Sequence, residues 1–164
     1  MSIFMSKPPT GNGWKKPGYR SVVNLDGNVY DLVDYNMSPH MEWDEVTYGA
    51  KGYNSEYIHL SYVGGVRKDN INVPKDTRTD AQKRVIRAMT EYYLAYYPDL
   101  EVGGHYEVNS KKACPSFNLT RELVKWGIPE KNIGLTKKNL TVTNEIEGQF
   151  DFSFDARNGK FVDT

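Results

Sequence analysis

The sequence predicts an α/β fold, with a mixed central β-sheet flanked by helices and a C-terminal β-meander extension. Residues 79–97 repeat their apolar positions at helical spacing behind a capping signal. Short runs on either side of them alternate apolar and polar residues between turn signals, as strands do. Further alternating runs close the chain. We therefore expect a main domain over residues 1–134 and a β extension over residues 135–164.

Bulk composition excludes several classes of function. The chain has 164 residues with 21 basic and 21 acidic side chains, so no net charge attracts nucleic acid or an anionic membrane. Its single cysteine excludes an internal disulfide. The apolar run Ile3-Phe4-Met5 is too short for a signal peptide or a membrane span. We expect a cytoplasmic protein with neither nucleic acid nor a membrane as a partner.

Four β-rich runs are predicted to supply the main sheet. They fall at 21–25, 28–33, 57–63 and 100–103. Asp26-Gly27 lies between the first two and is a strong two-residue turn signal, so these runs are predicted to form a hairpin. Alternation in the third run puts His59 and Ser61 on one face of the sheet. The fourth run leads directly to His105.

Two helices are predicted from caps and periodicity. Thr79 and Gln82 form a capping box, in which each side chain satisfies a free backbone amide at the helix start. This helix stops at Pro98, and a second helix over 119–126 is closed by Gly127. The first helix has a predicted core stripe at helical spacing, made of Val85, Ile86, Met89, Tyr92, Tyr93 and Tyr96.

The extension is predicted to be a small meander. Residues 140–146, 149–155 and 160–162 alternate like strands and are separated by turn signals. Such a meander would either lie at an edge of the main sheet or present a binding surface.

The stretch from Gly103 to Phe117 carries the residue types of a metal site. It contains the only cysteine, Cys114, and one of three histidines, His105. Imidazole and thiolate are preferred ligands of zinc. On spacing alone, a buried apolar role for the cysteine is the more common outcome.

Several motifs in a fixed order add to this reading. They are Gly18-Tyr19-Arg20, Asp26-Gly27, Gly49-Ala50-Lys51-Gly52-Tyr53-Asn54-Ser55, Tyr62-Val63-Gly64-Gly65, Asp76-Thr77-Arg78-Thr79, Ala81-Gln82, and Gly104-His105 with Lys112-Ala113-Cys114-Pro115-Ser116-Phe117. Together they resemble the zinc-dependent N-acetylmuramoyl-L-alanine amidases of the phage-lysozyme type, which are related to peptidoglycan recognition proteins. The resemblance covers about residues 14 to 126.

The resemblance implies roles for individual residues. His105 and Cys114 match two of the three zinc ligands of that family. Tyr19 and Lys112 match the catalytic tyrosine and lysine that stabilise the charged intermediate. The resemblance places the cleft at these motifs, and we expect Arg20, Tyr53 and Asn54 to contact ligand there, with Arg20 suited to an anionic group.

The chain also departs from the family pattern. The first zinc-ligating histidine is missing, and Ser6 stands in its place. The helix that follows this first strand in the family is missing here. Gly49 and Arg20 replace two further histidines of the family's cleft. His59 is new on its strand and is the candidate substitute for the third zinc ligand, ahead of His40.

These features lead to two hypotheses of different classes. The favoured one is a degenerate amidase-fold protein that binds a muropeptide, another small anionic ligand or a protein partner in the former cleft without efficient catalysis. The alternative is an active zinc amidase that cleaves the bond between N-acetylmuramic acid and L-alanine, and reaches the cell wall after lysis if it is a phage lysin. The lost helix would also bare an apolar face, which predicts a homodimer.

Overall fold

The computed structural model describes residues 14–38, 40–134, 151–155 and 160–163. Its strands are β1 (Ser21–Val23), β2 (Val29–Asp31), β3 (Leu60–Tyr62), β4 (Glu101–Gly103), β5 (Asp151–Asp155) and β6 (Lys160–Asp163). Its α-helices are α1 (Asp80–Tyr96), α2 (His105–Val108) and α3 (Leu119–Lys125), and short 3-10 turns lie at Trp43–Glu45 and Glu130–Asn132. None of the helices in these ranges is long and apolar enough to cross a membrane.

The strands form one mixed sheet, which confirms the predicted α/β class. Its order over the described strands is β2-β1-β3-β5-β6-β4. The predicted hairpin of β1 and β2 is antiparallel, whereas β1 and β3 are parallel, with Ser21 opposite Leu60. Residues from the sheet, α1 and α3 meet in one apolar core, which includes Val23, Leu60, Ile86, Val102 and Leu123.

The last two strands lie inside the sheet and not at its edge, which corrects the edge placement considered above. β5 pairs antiparallel with β3, and β6 pairs parallel with β4. β3 and β4 each carry backbone donors and acceptors on the side that faces the other strand, and the β5–β6 hairpin satisfies both rows. The predicted strand over 140–146 lies outside the described residues.

The predicted helix boundaries are confirmed to within two residues. At the start of α1, Thr79 Oγ1 accepts a hydrogen bond from the Gln82 amide at 3.1 Å, and Gln82 Oε1 accepts one from the Thr79 amide at 2.9 Å. This is the expected capping box. Gly127, with φ of 74°, follows α3 in the left-handed conformation that commonly ends a helix.

The buried face of α1 differs from part of the predicted stripe. Four of the predicted core residues are buried or half-buried, namely Val85, Ile86, Met89 and Tyr93. Tyr92 and Tyr96 are 51% and 56% exposed, so their predicted core role is wrong. The helix instead buries Gln82 and Thr90, whose polar groups are hydrogen-bonded within the fold.

Gln82 joins the helix start to two strand ends. Its Nε2 donates to the carbonyl oxygen of Val63 at 2.9 Å and to that of Val23 at 3.2 Å. These carbonyls lie at the end of β1 and just after β3. The side chain is fully buried, so its amide depends on these hydrogen bonds in place of water.

We expect Gln82→Ala to lower the free energy of unfolding by about 2–4 kcal/mol. The substitution leaves the Val63 carbonyl and the Thr79 amide without this partner, while the Val23 carbonyl keeps its hydrogen bond from the Val63 amide at 2.9 Å. Each such loss costs about 1–3 kcal/mol with partial relaxation. Urea denaturation measures the change. Lys83→Ala, at the exposed neighbouring position, is the control and should stay within about 0.5 kcal/mol of wild type. Equal effects of the two substitutions would contradict the bridging role.

Candidate functional site

Three segments of the chain meet beside the start of β3. They are the loop 47–55, the residue His59, and the stretch 104–115. Ala50 and Tyr57 form a small apolar cluster with Val108 of α2, and Tyr53 packs against it. This cluster holds the loop against the helix that begins at His105, so motifs far apart in sequence form one site.

The loop is shaped by its own side chains. Asn54 Oδ1 accepts a hydrogen bond from the Ala50 amide at 2.8 Å, and the Tyr53 amide donates to the Ala50 carbonyl at 2.9 Å. The rings of Tyr53 and Tyr57 meet edge to face, with centroids 5.8 Å apart. Burial raises the pKa of Tyr53, and the carboxylate of Glu56 raises it further. Asn54 therefore fixes the loop that presents Tyr53.

His59 is fully buried within this site. Its Nδ1 lies 2.8 Å from the hydroxyl of Thr47, which is itself buried. Its Nε2 is buried and has no hydrogen-bond partner in the part of the chain that the structure describes. Burial lowers the pKa of His59 well below its usual value, and the nearby His105 lowers it further. Burial therefore favours the neutral imidazole, which is the form that binds metals.

Gly49 lies directly against the imidazole of His59. A Cβ atom at position 49 would lie 2.2 Å from Cγ of His59 and 2.3 Å from its Cδ2. No side chain fits there while His59 keeps its position. The ring of His59 thus fills the space that a side chain at position 49 would occupy.

His105 begins α2, a short helix that the sequence analysis did not predict. Glu107 Oε1 accepts a hydrogen bond from the Gly104 amide at 3.0 Å, which caps the helix start. His105 is 3% exposed and close enough to His59 to affect its pKa. A helix of four residues is too short to show helical periodicity, so the sequence pattern did not predict it.

Cys114 is also buried, but it completes no metal cluster with the histidines. The carbonyl of the next residue, Pro115, accepts a hydrogen bond from the Tyr62 hydroxyl at 2.7 Å, which ties this stretch to β3. Among the side chains described for residues 14–38 and 40–134, no three His, Cys, Asp or Glu groups lie close enough together to hold a metal ion. His40 lies in the loop after β2 and is exposed.

The two predicted catalytic residues are half-buried near this site. Tyr19 is flanked by two backbone contacts: the Pro17 carbonyl accepts from the Tyr48 amide at 2.8 Å, and the Arg20 amide donates to the His59 carbonyl at 2.7 Å. Lys112 follows α2, and its amide donates to the Asn109 carbonyl at 3.0 Å. Thr47, which positions His59, was not predicted, because a threonine in a loop carries no distinctive pattern.

The side chain of Arg20 lies elsewhere. It is 8% exposed and donates from Nη1 to the Val33 carbonyl at 2.7 Å. Its guanidinium lies over the ring of Tyr35, 5.0 Å from the centroid. It lines a groove between the β1–β2 hairpin and α1, so the described contacts of Arg20 are not with the Tyr53–Asn54 loop.

We expect Gly49→Ala to destabilise the fold by about 1–3 kcal/mol, because the added methyl group collides with the ring of His59. Removing that ring should relieve the collision. In a urea-denaturation double-mutant cycle, His59→Ala and Gly49→Ala should therefore show a favourable coupling of about 1 kcal/mol or more.

Gly52→Ala is the matched control in the same loop. Gly52 has φ of 89°, and a Cβ atom at this position would meet no neighbouring atom within 4 Å, so the cost of the substitution comes only from backbone strain. That cost should be the same with or without His59. A Gly49–His59 coupling near zero would show that the two positions do not share space.

The comparisons with known proteins agree on one family. The family described as N-acetylmuramoyl-L-alanine amidase matches residues 3–117. The chain is 34% identical to the endolysin of Escherichia phage T7 over 111 residues, which is 66% of this chain and 65% of that protein. It is 32% identical to the endolysin of Klebsiella phage KP32 over 109 residues, with the same coverage of both chains.

A more distant relative comes from an animal. Peptidoglycan-recognition protein SC2 of Drosophila melanogaster is 28% identical over 120 residues, 70% of this chain and 55% of that protein. The matched region spans slightly less than two thirds of the length of the endolysins. No solved structure matches the chain.

Proposed function

The chain belongs to the N-acetylmuramoyl-L-alanine amidase family, and we propose that it binds the muramoyl-peptide part of peptidoglycan at the site formed by loop 47–55, His59 and stretch 104–115. The observation that carries this proposal is the fixed geometry of the loop around Asn54, next to a buried histidine pair. The names of its relatives support the ligand class, since they include endolysins and peptidoglycan-recognition proteins.

The described contacts suit recognition of a peptide-bearing sugar. Tyr53 is half-buried and offers an apolar ring with a polar hydroxyl, a combination common in binding sites. Its loop is closed by the Asn54 side chain before any ligand arrives, so little ordering is needed on binding. Lys112, at the other side of the site, is half-buried and suits contact with a ligand carbonyl or carboxylate.

We expect Asn54→Ala to weaken binding of N-acetylmuramoyl-L-alanyl-D-isoglutamine about five- to tenfold in isothermal titration calorimetry. The substitution removes one hydrogen bond that shapes the loop, and a loss of about 1 kcal/mol corresponds to that factor. Asn70→Ala is the matched control, because Asn70 Oδ1 makes the same kind of local bond to the Asn72 amide at 3.0 Å in another loop. If wild type binds neither this ligand nor insoluble peptidoglycan, the proposed function is wrong.

Hydrolysis of the amide bond is a second candidate function. It is favoured by the buried pair His59 and His105, by the buried Nε2 of His59, and by the half-buried Tyr19 and Lys112. The residues described fit a zinc ion only in part, because a catalytic zinc takes three protein donors and only the two imidazoles are placed close together here.

Metal content separates the two candidates. For an active amidase we expect about one zinc per chain by elemental analysis, in line with the stoichiometry of catalytic sites. His59→Ala and His105→Ala should each lose it, whereas Tyr19→Phe and Lys112→Ala should keep the metal and lose hydrolysis of peptidoglycan. His40→Ala, with its exposed imidazole, is the control. Muropeptide binding without zinc in wild type would leave recognition as the function and exclude the metal-dependent one.

A further inference from the structure

The groove between the β1–β2 hairpin and α1 contains a charge that the proposed function does not use. The groove has a volume of about 480 Å³, within the range of small-molecule sites. Arg20 and Ser21 of the β1 side, Asp31 of β2, and Met89 and Tyr92 of α1 are among its lining residues.

Arg20 is the unusual member of this lining. The residue is more than nine-tenths buried, and no carboxylate of the described residues lies within salt-bridge distance of its guanidinium. Nη1 donates to the Val33 carbonyl, and Tyr93 is a second hydrogen-bonding neighbour. Nε is buried and has no hydrogen-bond partner in the described ranges. A buried charge is usually paired, because its removal from water is costly.

The walls of the groove are aromatic and apolar. Tyr35 lies under the guanidinium, and Tyr93 is buried at its side. Tyr92 is half exposed at the rim, and its ring contacts that of Tyr93 edge to face, with centroids 5.6 Å apart. Such a surface stacks on a flat ring, while the planar guanidinium of Arg20, which lines the groove, suits a carboxylate.

We propose that this groove is a second binding site, separate from the loop and histidine site, and that it takes a small aromatic carboxylate. The carboxylate pairs with Arg20, and the ring lies between Met89 and the tyrosines of α1. Asp31 at the groove is held by a hydrogen bond from the Ser21 hydroxyl. Its negative charge opposes an anion, so it limits affinity and favours ligands whose carboxylate lies on the Arg20 side.

The probe for the test is 4-hydroxyphenylacetate, compared with its neutral amide, 4-hydroxyphenylacetamide. Titration is followed by chemical-shift changes in the full chain. We expect the carboxylate to bind with a dissociation constant of roughly 0.1–10 mM, which is typical for a ligand of this size. The amide should bind at least about tenfold more weakly, because it lacks the charge that Arg20 recognises.

Two variants on α1 test the location without touching the buried arginine. Ala88 is exposed and lines the groove, so Ala88→Trp should fill it and abolish binding of the carboxylate. Ala95 is exposed on the same helix and is not among the groove residues, so Ala95→Trp should leave binding unchanged. Asp31→Asn should strengthen carboxylate binding, since it removes the opposing charge.

Three results would overturn the proposal. They are equal binding of carboxylate and amide, unchanged binding in the Ala88→Trp variant, and no shift changes up to the solubility limit of the probe. Arg20→Lys keeps the positive charge but lacks the planar donor fork, and in folded protein it should bind the carboxylate more weakly. None of these measurements depends on muropeptide binding, so the two functions succeed or fail independently.

Discussion

The buried carboxamide of Gln82 is the interaction on which the arrangement of the main domain depends. It accepts from the capping residue Thr79 and donates to carbonyls at the ends of two parallel strands. One side chain therefore fixes where α1 starts and how it sits over β1 and β3. His59 directly precedes β3, so the contact between Gln82 and the end of this strand also helps to position the candidate site. A hydrocarbon at this position would fill the space but would leave the Val63 carbonyl and the Thr79 amide without this partner.

The site itself depends on a second constraint, which is the absence of a side chain at Gly49. The imidazole next to this loop position belongs to His59, the residue just before β3. The two positions depend on each other, because the ring of His59 lies 2.2 Å from where the Cβ of residue 49 would be. The hydroxyl of Thr47 contacts Nδ1 of this imidazole.

The C-terminal strands show a different kind of dependence. A family match that ends at residue 117 suggests that the remaining chain is an appendage. The register places β5 beside β3 and β6 beside β4, so these strands join the two parts of the sheet. The unpaired edges of β3 and β4 are the reason, because each needs a neighbouring strand to satisfy its backbone groups.

Local sequence determined the elements whose signals are contained in a few neighbouring residues. The capping box at Thr79, the turn at Asp26-Gly27 and the stop at Gly127 each rest on contacts within one turn of chain. The motif order alone also pointed to the amidase family.

Tertiary structure decided the rest. Packing between elements buries Gln82 and leaves Tyr92 exposed. Helical periodicity predicts an apolar stripe, but it does not show which side chains of the helix contact the rest of the core. Only the fold could place Arg20 beneath α1 and not at the loop of Tyr53, because the direction of a side chain next to a strand depends on what packs against each face. The meeting of Gly49, Thr47, His59 and His105 likewise arises from contacts between segments far apart in the sequence, and no local pattern encodes it.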